Sequence, residues 1–174
     1  QAVARAVTYL TRHPSCDVIY GDCNILDAQG SLIRVYRPPK LEGALALVES
    51  FIHTPAVFWR KPVFEKVGYL DERYHYCMDN EFWIRMAPIV RREYLEGPLA
   101  NYHLRVGSKG TTAKAEFGVE MCQIYEELVS REPFHSEVSS VVWRSIRGGH
   151  YWSTGLALCR EGQIMRAERY LRQA

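Results

Sequence analysis

The stretch Tyr74-His75-Tyr76-Cys77-Met78-Asp79-Asn80-Glu81-Phe82-Trp83-Ile84-Arg85 holds the residue types best suited to chemistry. Asp79 stands where a helix is predicted to begin, as its N-cap, with the helix running from Asn80 to Ala87 and ended by Pro88. A carboxylate at a helix N-terminus is held as the anion by the local dipole and the unsatisfied N–H groups. An ionised carboxylate within reach of a hydroxyl acts as a general base. A plainer role stays open, because Asp is among the best N-cap residues and most such side chains only cap. Glu81 and Arg85 have the i, i+4 spacing of a routine helix pair. Phe82, Trp83 and Met86 read as core.

Other chemistry has little support. The five cysteines (Cys16, Cys23, Cys77, Cys122 and Cys159) are widely spaced and form no C-x-x-C, so they read as free thiols in a reducing compartment. No P-loop, GxGxxG, HExxH or GxSxG motif occurs.

The elements that must position Asp79 follow from periodicity. Val3, Ala6, Val7 and Leu10 have helical spacing, and His13-Pro14 ends that helix. Residues 16–22 and 32–36 read as strands joined through Ala28-Gln29-Gly30, where glycine supplies a positive φ. Residues 41–50 read as a helix and 54–59 as a short strand. Lys61 to Gly68 reads as a short helix with proline in its first turn and glycine as its stop. Arg92–Leu95 and Leu99–Leu104 are predicted as two strands around Gly97-Pro98. Val106 to Thr112 is a polar loop. Beyond it, Phe117, Met121, Ile124, Tyr125 and Leu128 mark an amphipathic helix. Val138, Val141, Val142 and Ile146 mark another, which Gly148-Gly149 is expected to break. A helix pair over 150–160 and 163–173 follows. The fold class is therefore α/β, with strands and helices alternating first and an all-helical C-terminal extension after.

From Asp17 to Arg105 the sequence resembles the second half of a family 2 glycosyltransferase with the GT-A fold. DVIYGDCNILDAQGSLI is similar to the strand and hairpin just past that family's metal-binding D-x-D. HTPAVFWRKPVFEKVGYLDERYHYCMDNEFWIRMA is similar to the segment that builds the acceptor side of its active site. The resemblance implies a partial GT-A mixed sheet over 1–112 and a helical extension over 113–174. It implies inverting transfer of a sugar from a nucleotide-sugar donor to a hydroxyl on a glycan or lipid-linked acceptor, in surface polysaccharide or glycan synthesis. Asp79 would be the catalytic base. Arg105 and Lys109 would bind the donor diphosphate through their cationic donors, with His103 an alternative. His53, Trp59 and His75 would line the acceptor side, although a packed or surface side chain explains each of them as well.

Two departures stand out. No D-x-D is present, so the divalent metal (Mn or Mg) expected of the whole enzyme has no evident ligand set here. Where the family often has Tyr-Arg-Leu-His ahead of Gly-Ser-Lys, this sequence has Tyr102-His103-Leu104-Arg105. Guanidinium has no lone pair for a metal, so Arg105 cannot take over a ligating His.

The 174 residues suffice for one domain, and 47% hydrophobic with 24% charged residues excludes wholesale disorder. Twenty-two Lys and Arg against 20 Asp and Glu give no electrostatic case for nucleic acid. No apolar run approaches the roughly 18 residues of a membrane span. A cytoplasmic chain, at most peripheral to a membrane, is expected. The start at Gln1 reads as a cut from something longer, and because the family's donor-binding half is missing, the isolated chain is expected to be inactive. Tyr151, Gly155, Ala167, Leu171 and Ala174 fall at the packing positions of one tetratricopeptide-type hairpin. The competing class is thus a non-enzymatic binding or assembly module using that helical part. Self-association through a half-sheet edge or the helical tail is a further expectation.

Overall fold

The computed structural model describes residues 1–41, 43–48, 52–105, 107–108 and 112–174. The chain forms two compact units. The first comprises Gln1–Leu41, Glu49–Leu70 and Phe82–Arg105. The second comprises Glu42–Val48, Asp71–Glu81 and Val106–Ala174.

The first unit is a mixed α/β structure built on one long strand, β1 (Val18–Leu26). One edge of β1 carries the parallel strand β4 (Arg92–His103) along its whole length. Its other edge is shared by two antiparallel strands. The residues Val18 to Tyr20 pair with β3 (Val57–Trp59), and Cys23 to Leu26 pair with β2 (Leu32–Tyr36). Near-continuous burial of β1 fits a strand covered on both faces.

Helix α1 (Ala2–Arg12) lies over one sheet face, where Ala6 packs with Cys16 and Ile19. The other face holds the main apolar core. Val18 and Val57 pack there with Val63 and Val67 of α3 (Pro62–Val67). Phe82, Trp83 and Met86, from α4 (Met78–Met86), complete it. All three aromatic or thioether side chains are buried, as expected.

Several local expectations hold for the stated reasons. Pro62 opens α3, and Gly68 (φ 86°) closes it with its N–H on the Phe64 carbonyl. Three do not hold. Thr54–Ala56 is a 3₁₀ turn that leads into β3, because Pro55 supplies no ladder donor. The two strands predicted around Gly97-Pro98 are one strand with a bulge, absorbed by Gly97 at φ 88°.

The third difference lies in the second unit. Its helices are α2 (Gly43–Val48), α5 (Lys114–Leu128), α6 (Phe134–Glu137), α7 (Ser140–Arg160) and α8 (Ile164–Leu171). Gly148-Gly149 does not break α7. Each glycine costs about 1 kcal/mol in a helix, but Trp143, Ile146, Tyr151, Thr154 and Leu158 bury one continuous stripe and outweigh that cost. Ser139 caps α7 through its hydroxyl, which accepts from the Val142 N–H. The α7–α8 hairpin is tight at Gly155, where a methyl group would lie 2.6 Å from Leu171 Cγ. No described helix is long and apolar enough to cross a membrane.

Candidate functional site

Asp79 sits in the first turn of α4, one residue inside the helix rather than at the predicted N-cap. The reason is a carboxylate from far along the chain. Glu120 of α5 accepts from three successive backbone N–H groups, those of His75 at 2.9 Å, Tyr76 at 2.7 Å and Cys77 at 2.8 Å. These donors precede the helix and need an acceptor in a partly buried place. Glu120, not Asp79, therefore ties down the segment entering α4. Asp79 accepts from the Asn80 N–H at 2.9 Å through Oδ1.

The surroundings in this unit are aromatic and acidic. The Tyr76 ring lies 5.3 Å from Phe117 and 4.9 Å from His75. His75 is exposed. Cys77 is fully buried and donates its thiol to the Phe117 carbonyl. Burial, then the charges of Glu120 and Asp79, push the Cys77 thiol well above its ordinary range. It stays protonated and is no nucleophile.

The other described residues singled out in the sequence lie in the first unit. His53 is half-buried between the rings of Tyr36, at 5.3 Å, and Tyr102, at 5.1 Å. Trp59 is half-buried in an aromatic cluster, edge-on to Trp83 at 5.5 Å and to Phe64 at 5.8 Å. Trp83 donates its indole N–H to Thr54 Oγ1 at 3.3 Å. His103 ends β4 and is exposed, as is Arg105 just past it. Lys109 lies outside the described residues.

Two residues escaped the sequence reading. Glu120 is separated from its partners by more than forty positions, and one Glu on a helical pattern carries no signal of such a contact. Asp22 left one trace, a carboxylate inside a mostly apolar strand. It is buried, and its Oδ1 accepts from the Tyr94 hydroxyl at 2.5 Å.

Among the described residues, no group of three or more His, Cys, Asp and Glu side chains is placed to hold a metal ion. The divalent metal implied by the resemblance finds no donor set in them. No protein-family model matches this chain, and no curated protein matches it.

Proposed function

We propose that this chain is the acceptor-side portion of an inverting glycosyltransferase of the GT-A type, with Asp79 as its general base. The observation that carries the reading is the placement of Asp79 in the first turn of α4, behind a segment held at three successive N–H groups by Glu120. A base must be fixed to within a fraction of an ångström of its target proton. The order of elements supports the same reading, with a strand, a hairpin, an antiparallel strand, two helices and a parallel strand in sequence.

In the reaction, Asp79 takes the proton from an acceptor hydroxyl. That oxygen forms its bond to the anomeric carbon of the donor sugar from the side opposite the leaving group. The bond from that carbon to the diphosphate oxygen breaks, and its electron pair leaves with the nucleotide. The configuration inverts. Arg105 and Lys109 supply positive charge for the departing diphosphate.

The test is nucleotide release from a panel of nucleotide sugars by the full polypeptide that carries this sequence. Release reduced by about 10²–10⁴-fold in Asp79→Asn supports the assignment. Release that survives the substitution overturns it, and no release from any donor overturns transfer itself. This sequence alone is expected to release none. The second reading, a helical binding module, has one observation behind it. Ile164 and Met165 stand 62% and 89% exposed at the start of α8. A partner interaction lost in Met165→Glu and indifferent to Asp79→Asn would favour it.

A further inference from the structure

Beside β1 the first unit opens a cleft of about 660 Å³. It is lined by the buried Asp22 and half-buried Asn24, and by Tyr94, Arg37, Lys40 and Glu96 at exposed positions. Three features set it apart from an ordinary surface groove.

The first is the buried carboxylate. Asp22 is only 4% exposed, and burying an anion is costly unless its oxygens are well paired. Tyr94 supplies one short hydrogen bond, and Arg37 Nε stands 3.8 Å from Oδ2, beyond hydrogen-bond range. A carboxylate can accept about four hydrogen bonds.

The second feature is the β4 bulge. Gly21 pairs with Leu95, but Asp22 pairs with Pro98, so Glu96 and Gly97 are pushed out of the ladder where Asp22 sits. Pro98 brings no N–H of its own. The bulge is braced from α1, since Arg5 donates to the Pro98 carbonyl at 2.9 Å and also to that of Glu96. Bulges of this kind re-aim side chains beside binding sites.

The third feature is the balance of polar groups. Asp22 and Glu96 offset Arg37 and Lys40, leaving no net charge to attract an anion. Asn24 donates its amide to Asn101 Oδ1 at 3.0 Å, which leaves each amide with one polar atom unpaired among the described residues. The half-exposed Tyr94 ring offers an apolar face.

We infer that this cleft binds a neutral polyhydroxylated ligand, a carbohydrate whose adjacent hydroxyls donate to Asp22 and accept from Arg37 and Lys40. Only the naming of that carbohydrate as an acceptor rests on the transferase reading. Binding is measured without turnover, so the two can fail separately.

The experiment is saturation-transfer NMR on the chain with methyl glycosides of glucose, galactose, mannose and N-acetylglucosamine, and with inorganic pyrophosphate as the anionic arm. At least one glycoside is expected to bind with a dissociation constant of about 1 mM. Asp22→Asn should weaken it about tenfold. Arg37→Ala and Lys40→Ala, at exposed positions that the fold tolerates, should each weaken it a few-fold. No signal from any glycoside at about 10 mM overturns the inference. So does pyrophosphate displacing the glycoside, or binding that is unchanged in all three folded variants.

Discussion

Glu120 reaches the backbone N–H of Cys77 at 2.8 Å across 43 positions of sequence, and the same oxygen takes the Tyr76 N–H at 2.7 Å. An anion on successive N–H groups makes strong, charge-assisted hydrogen bonds. Removing it strands donors in a partly buried place, at about 1–3 kcal/mol for each buried donor. Glu120→Ala should therefore cost about 3 kcal/mol, with the His75 N–H contributing least because it is solvated. Glu120→Gln keeps a carbonyl oxygen and should cost about half as much. Denaturant unfolding measures both, and hydrogen exchange should accelerate at residues 75–77 first. An unchanged midpoint in Glu120→Ala removes the clamp from the account.

The helix glycines divide by what surrounds them. A methyl group at Gly118 would lie 2.3 Å from Thr154 Oγ1 and 3.0 Å from its Cβ. The branched side chain sits on a packed helix and cannot swing aside cheaply. Gly118→Ala should cost about 1–3 kcal/mol by overpacking. Gly149 has open space around its missing side chain and ordinary helical backbone. Gly149→Ala should stabilise the chain by about 1 kcal/mol through propensity alone. Thermal melts of the two variants should move in opposite directions, and a shared direction rejects the packing argument.

His150 lies in the second unit with its ring 4.7 Å from Tyr125. Burial holds its pKa below the ordinary value. The unfolded imidazole takes up a proton near pH 6.5, where the folded one still resists. Below that pH the unfolded state binds more protons, so stability falls as the solution is acidified. His150→Gln should flatten the loss between about pH 7 and pH 5. Chemical denaturation at several pH values checks it, and parallel curves for the two proteins would sink the idea.

What was legible in the sequence was whatever local physics decides. The apolar spacing of Val3, Ala6, Val7 and Leu10 gave α1, and Gly68 and Pro88 marked where α3 and α4 stop. What was not legible depended on distant partners. Asp79 looked like an N-cap because the true partner of the N–H groups ahead of α4, Glu120, lies on another helix. Gly148-Gly149 looked like a break because the buried stripe that carries α7 through it is a tertiary effect. The two strand halves around Gly97-Pro98 looked separate because a bulge is visible only against its partner strand. The candidate site follows the same division. Asp79 is singled out by its local setting and by the family resemblance, whereas the surroundings of Asp22 show only when Tyr94 and Arg37 are seen around it.

Thiol reactivity offers the sharpest test of the segment before α4. Cys16, Cys23, Cys77 and Cys122 are buried, and Cys159 is partly exposed. Only the thiolate attacks an alkylating reagent. Burial disfavours that form at Cys77, and the charges of Glu120 and then Asp79 disfavour it further. Native chain treated with iodoacetamide should be modified first at Cys159, with Cys77 protected. Glu120→Ala removes one of the repelling charges and loosens residues 75–77 together, so labelling at Cys77 should rise about tenfold or more. Glu120→Gln separates the two effects, because it removes the charge while keeping an acceptor for the backbone. Peptide mapping by mass spectrometry reads each site. Selective acceleration at Cys77, with Cys16 and Cys23 still protected, is the expected pattern. Acceleration at all buried cysteines alike would mean global unfolding and would take the local clamp out of the explanation.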